Sequence, residues 1–210
     1  MAEKILVIGC GGHAKSVVDA IEAAGQFDIA GFVGTPQELA FTYRGYRVLG
    51  TDDDLPAIYA GGVRYAALGV GYLGEGRVRE RLADRLTAAG FTLPPVIDPT
   101  AAVATDAVLG EGIFVGKQAV VNAAAAVDRL AIVNTAAVVE HDCRVGASSH
   151  VAVGALLCGG VTVGEHALVG AGATVLQGLT VGNNARVGAG ATVLVNVPAD
   201  TTAVGLVKRE

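Results

Sequence analysis

Four histidines, His13, His141, His150 and His166, supply the imidazoles of this chain. Imidazole is the side chain best suited to take and return a proton near neutral pH. His141 is followed at once by Asp142. A carboxylate beside an imidazole can orient the ring and stabilise its charged form, so the pair is a candidate general base with its supporting group. His13 stands in the glycine-rich run Gly9-Cys10-Gly11-Gly12-His13-Ala14, where backbone N–H groups at a helix start suit a phosphate. His166, beside Glu165, fits no pattern and is expected at the surface. The three cysteines, Cys10, Cys143 and Cys158, are far apart and make neither a disulfide framework nor a metal-ligand cluster, so no metal is expected.

What must position His141 is a repeat. Stepping by six from Ile97 gives Val103, Leu109, Val115, Val121, Val127, Val133, Val139 and Val145, then Val151, Leu157, Val163, Val169, Val175, Val181, Val187 and Val193. Every position is aliphatic. The residue two places earlier is usually small, as in Ala119, Ala125, Ala137, Cys143, Ser149 and Ala155. Two inward residues separated by one outward residue is the alternation of a short strand. A helical period of 3.6 cannot keep phase with six over such a length. The second half is therefore a solenoid of short parallel strands joined by tight corners, with three hexapeptides per coil and between five and six coils.

The repeat places the chemistry. His141 lies two residues after inward Val139, which puts it and Asp142 at one exposed corner; the bland alternative is a solvated surface histidine. His150 lies between inward Ser149 and Val151, so it points outward from a flat face. It is nine residues from His141, half a coil away, so the two share a site only if His150 comes from a neighbouring subunit. That argues for an oligomer with sites between chains. The alternative is a His150 packed in the subunit interface without touching ligand. Cys143 takes an inward small-residue slot and should be an inert core thiol.

The first half alternates strands and helices. Lys4–Gly9 reads as a buried strand running into the glycine turn, residues 14–25 as a helix closed by Gly25, and Asp28–Val33 as a second strand. Arg64–Val70 reads as a third strand and Glu75–Gly90 as an amphipathic helix. The expectation is a small parallel α/β sheet, with a boundary near Leu93-Pro94-Pro95. The turn partly fits a dinucleotide fingerprint, but the second strand ends Gly31-Phe32-Val33-Gly34-Thr35 with no carboxylate for a nicotinamide ribose. It is read as phosphate-friendly backbone for a nucleotide substrate. Capping of the following helix is the alternative role for His13.

Composition narrows the partners. Net charge is −5 with no block of Lys or Arg, which gives no electrostatic case for nucleic acid or an anionic membrane. The opening apolar run ends at Gly9, too short for a signal peptide or a spanning helix, and a reduced cytoplasmic setting is expected.

A Gly-Gly-His turn on a small α/β domain, followed by an unbroken hexapeptide solenoid, resembles the bacterial sugar acyltransferases related to sialic acid O-acetyltransferase. The most specific stretch runs from Asn134 through Glu140-His141-Asp142 to His150 and Gly154, which matches that family's catalytic coil. The resemblance implies an α/β Rossmann-like N-terminal domain (residues 1–95) and an all-β left-handed parallel β-helix (96–198), with a C-terminal tail (199–210). It implies N-acetylation of a nucleotide-linked 4-amino-4,6-dideoxy sugar by acetyl-CoA, in a homotrimer with active sites between subunits. It makes His141 the base and Asp142 its orienting partner. Gly11, Gly12, His13, Asn134 and His150 fall to the sugar nucleotide. Gly159 falls to the thioester carbonyl through its N–H, Ala171 and Ala189 to the pantetheine arm, and Lys208 to coenzyme A. Family members commonly carry an Asp pair where this chain has Gly34-Thr35; its loss turns the expectation from a UDP-sugar towards GDP-perosamine. Two other readings stay open, an O-acetyltransferase of a sugar such as sialic acid and a non-catalytic solenoid scaffold.

Overall fold

A computed structural model describes residues 2–74 and 76–208. The chain divides into two compact units, one running to Gly71 and resuming over Arg77–Asp98, the other comprising Tyr72–Gly76 and everything from Pro99 onward.

The first unit is built on β1 (Glu3–Ile8), whose Ile5, Leu6, Val7 and Ile8 are fully buried, as a central strand of a parallel sheet requires. The glycine turn leads into α1 (Gly12–Ala24), which packs Ala14, Val17, Val18, Ala20 and Ile21 inward. Gly25 closes it in the left-handed region, its N–H donating to the Ile21 carbonyl at 3.0 Å. Then come β2 (Phe27–Val33), β3 (Thr42–Tyr43), β4 (Tyr46–Gly50), α2 (Leu55–Ala60), β5 (Tyr65–Leu68) and α3 (Val78–Ala88). The sheet order is β3-β4-β2-β1-β5, parallel except for β3, which pairs antiparallel with β4. The expected strands and helices are present with ends shifted by up to three residues; Glu75, the expected start of the last helix, lies outside the described residues. The β3–β4 hairpin was not foreseen. Its turn, Arg44-Gly45, has both φ angles positive, the geometry that matches strand twist in a two-residue hairpin.

The second unit is the solenoid. From Ala102–Val103 to Thr192–Val193 paired strands are parallel and eighteen residues apart, as Val120↔Val138, Ala126↔Arg144 and Ile132↔His150 show. Three sheets result. The first holds Val120–Val121, Val138–Val139, Leu156–Leu157, Thr174–Val175 and Thr192–Val193; the second, Ala126–Val127, Arg144–Val145 and Thr162–Val163; the third, Ile132–Val133, His150–Val151 and Leu168–Val169. From Val121 to Val193 the six-residue aliphatic series is buried throughout, each Val or Leu worth roughly 1.5–3 kcal/mol of transfer free energy.

Corners recur at the same phase. One residue per hexapeptide adopts positive φ, including Gln118, Ala124, Leu130, Ala136, Asp142 and Ser148, with glycine at Gly154 and Gly160. Elsewhere at the corners the coils approach so closely that a Cβ on Gly146 would lie 2.7 Å from the Glu165 nitrogen. The ladder also runs past residue 198, where a tail was expected: Thr202–Ala203 pairs with Arg186–Val187, and Leu206–Val207 with Thr192–Val193.

Candidate functional site

At the corner where the first sheet turns into the second, the residues of successive coils stack in columns: Ala123, His141 and Gly159 form one, Asn122, Glu140 and Cys158 the neighbouring one. His141 and Asp142 are exposed there. The positive φ of Asp142, 59°, turns its carboxylate back on the ring, and His141 Nδ1 lies 2.8 Å from Asp142 Oδ2. Nδ1–H therefore donates to the carboxylate and leaves Nε2 as the free basic nitrogen. The hydrogen bond to Asp142 holds the His141 pKa above its usual value; desolvation opposes it, and the charges of Asp142 and Glu140 add to the rise.

Gly159 faces that nitrogen from the next coil. A Cβ there would stand 2.5 Å from Nε2 and 2.6 Å from Cε1 of His141, so only glycine leaves the ring where it is. The Gly159 N–H carries no hydrogen bond to any described residue. A free base and a free backbone donor thus share one corner, the two groups that addition to a carbonyl needs. Further along this corner Lys208 lines an open recess of about 380 Å³ with Leu179, Leu194, Val195 and Asn196.

A second cluster forms elsewhere. Asn134 opens the corner after the third sheet; Ala171 and Ala189 lie exposed on later coils of the same corner, linked by the Gly190 N–H to the Ala171 carbonyl. Asn134 Nδ2 is 3.1 Å from His150 Nε2, and its Oδ1 accepts from the Thr135 N–H. This cluster is remote from His141 in the cross-section, because the third sheet lies opposite the His141 corner.

Two expectations change here. His150 points outward, but it is only 6% exposed, covered by the chain's own Tyr72 segment, whose carbonyl accepts from Nδ1 at 2.6 Å. His166, expected at the surface, is 7% exposed, and its carbonyl accepts from the Tyr72 hydroxyl at 2.7 Å. Both follow from one segment laid against the solenoid, which the hexapeptide register does not encode.

In the first unit the C-terminal ends of the parallel strands collect the glycine turn. Gly11 caps α1, and a Cβ on Gly11 or Gly12 would meet nothing within 4 Å. The first turn of α1 carries no acidic residue to repel an anion from the helix start, and half-buried His13 stands within it. Burial, and secondarily the Glu38 charge, push the Cys10 thiol up to about 11; burial first likewise raises Cys143. Neither is poised as a nucleophile. The end of β2 does receive a carboxylate: Glu38 accepts from the Thr35 N–H at 2.8 Å and the Thr35 hydroxyl at 2.9 Å. Its signal was the Thr-x-x-Glu spacing of a capping box, and that bonding commits Glu38 to the turn. Among the described residues no group of side chains could hold a metal ion, and no helix is long and apolar enough to cross a membrane.

The Asp142 pair makes a pH prediction. A base must be neutral to act, and Asp142 raises the His141 pKa, so Asp142→Asn should move the acid limb of kcat to lower pH. Loss of ring orientation should lower the plateau about 10-fold or more. Rate–pH profiles of the two proteins check both signs; an unmoved limb would remove Asp142 from the base.

Comparison with known proteins places this geometry. Residues 4–86 match the PglD N-terminal domain, and residues 160–194 the bacterial transferase hexapeptide (six repeats). A histidine-to-alanine variant of GDP-perosamine N-acetyltransferase from Caulobacter crescentus, solved with CoA and GDP-perosamine, is 35% identical; the match covers 100% of this chain and 99% of that one, with a TM-score of 0.92. The acetyltransferase domain of PglB from Neisseria gonorrhoeae FA1090, solved with acetyl coenzyme A, is 33% identical over 98% of this chain and 97% of that one, with a TM-score of 0.87. WeeI from Acinetobacter baumannii AYE shares the fold, at 21% identity over 97% of each chain and a TM-score of 0.65.

Proposed function

The chain belongs to the bacterial hexapeptide-repeat sugar acyltransferases, left-handed β-helix enzymes that depend on acetyl-CoA, and from that premise we infer that it acetylates the C4 amine of a nucleotide-linked 4-amino-4,6-dideoxy sugar. GDP-perosamine is the favoured acceptor. The observation that carries the reading is the His141–Asp142 pair with Nε2 free against Gly159.

In this reading the sugar amine attacks the thioester carbonyl and His141 Nε2 takes the amine proton. Asp142 stabilises the imidazolium, and the Gly159 N–H donates to the oxyanion. The intermediate collapses with loss of the CoA thiolate, which recovers the proton from His141. Lys208 meets the coenzyme at the far end of the same corner, and Ala171 and Ala189 offer backbone groups to the pantetheine arm. Gly11, Gly12 and His13 hold the diphosphate at the start of α1. Asn134 completes the acceptor site from the second cluster, and buried His150 holds the Asn134 amide from behind.

One chain cannot bring the two clusters together. The corner bearing His141 in one copy must face the cluster of Asn134, Ala171 and Ala189 in another, which supports a homotrimer with a site at each of its interfaces. The choice of GDP rests on Gly34-Thr35 standing where UDP-sugar relatives carry carboxylates.

The test is thiol release from acetyl-CoA with GDP-perosamine, a UDP-linked 4-amino sugar and sialic acid offered in parallel. Preference for the GDP-sugar is the expected result. Turnover of the UDP-sugar alone would overturn the nucleotide assignment, and turnover of the hydroxyl acceptor alone would overturn amine chemistry.

A further inference from the structure

We propose that Asn122, one coil below the reacting corner, is a positioning residue that sets the place of His141 by bracing Glu140. The proposal rests on the reading of His141 as the base.

The column Asn122, Glu140, Cys158 runs beside the column Ala123, His141, Gly159. In the lowest coil Asn122 Oδ1 accepts from the Ala123 N–H at 2.9 Å. One coil up, Glu140 Oε2 does the same for the His141 N–H at 3.1 Å. In the third coil the side chain is a thiol, which supplies no oxygen to the Gly159 N–H, and that donor carries no hydrogen bond to any described residue. The same backbone position is thus closed under the base and open where a carbonyl would be received.

A glutamate folded back on its neighbouring N–H loses rotamer freedom that it would keep in water. Asn122 offsets that loss: its Nδ2 donates to the same Oε2 at 3.0 Å, across a partly buried contact. The His141 main chain is then held at both ends, by Glu140 at its N–H and by the Gly160 N–H, which donates to its carbonyl at 2.8 Å. The Asp142 N–H adds a third tie, to the Ala123 carbonyl at 3.0 Å. Asp142 orients the ring; the Asn122–Glu140 brace fixes the backbone from which the ring projects. Asn122 touches neither His141 nor a reacting atom in this scheme.

The experiment compares Asn122→Ala and Asn122→Asp in the full chain. Asparagine and aspartate are nearly the same size, so a residue that only fills space would tolerate Asp. A brace would not, because a carboxylate would then face the Glu140 carboxylate. Both variants are expected to lower kcat about 10-fold, a loss of the size that slight misplacement of a reacting group produces, with both KM values within about twofold. Hydrogen exchange of the His141 amide, followed by NMR, reads the brace without turnover, and it is expected to quicken in both variants. Wild-type kcat in Asn122→Asp would overturn the proposal, as would unchanged exchange of the His141 amide. If wild-type protein acetylated none of the acceptors, the functional reading would fail, while the exchange measurement would still decide the brace.

Discussion

Replacing His141 by asparagine is expected to lower kcat for acetyl transfer by about 10²–10⁴-fold, the usual contribution of a positioned general base. The side chain is exposed at a corner and its ring packs no core, so the fold has little to lose. Asparagine keeps a polar group of moderate size but has no basic nitrogen to accept the amine proton. KM for acetyl-CoA should change little, because His141 acts on the attacking amine and the donor is held by Lys208 and by backbone at Ala171 and Ala189. Initial rates of thiol release at saturating acceptor, with KM measured for both substrates, make the check. Nearly full activity in this variant would remove His141 from the mechanism.

An equally large loss is expected from a single methyl group. In Gly159→Ala the new Cβ would occupy a point 2.5 Å from His141 Nε2, well inside contact distance. Backbone on both sides of Gly159 is fixed, since the Gly178 N–H donates to its carbonyl at 3.0 Å and the Gly160 N–H to the His141 carbonyl. The wall cannot retreat, so the ring must swing away from Asp142 into solvent. Loss of the aligned base should lower kcat by at least about 10²-fold, while the thermal midpoint stays close to that of the parent because the displaced ring is not part of the core. Activity within a few-fold of the parent would mean that catalysis uses another rotamer of His141 than the one against Gly159.

The parts of the protein that could be read from sequence are those where one physical constraint recurs. Each coil must bury an aliphatic at the same place, so the register from Val103 to Val193 is written seventeen times if Ile97 is included, and the corner positions of His141 and Asp142 follow from it. The glycine turn was legible for a similar reason, because strand, turn and helix start each leave a local mark. What escaped depends on contacts between residues remote in sequence. Nothing near His150 or His166 announces that Tyr72, 78 and 94 residues away, covers one and bonds to the other. Glu38 escaped differently: it does not lie in line with β2 but reaches the strand end by folding back from a turn. The free N–H of Gly159 is also invisible in sequence, since it depends on what the neighbouring column lacks.

The corner that carries His141 is also a ruler. Glu140, Cys158, Leu176, Leu194 and Lys208 follow one another up the first sheet's edge, one rung per coil, the last step shortened in sequence because Leu206–Val207 pairs directly with Thr192–Val193. Strand spacing graduates it: four rungs of about 4.8 Å make roughly 19 Å. An extended donor lying along the edge would have its reactive end and its charged end registered by the same hydrogen-bond ladder that folds the protein. Its length is then gauged in whole coils, and no side chain can lengthen the scale by a fraction of a rung.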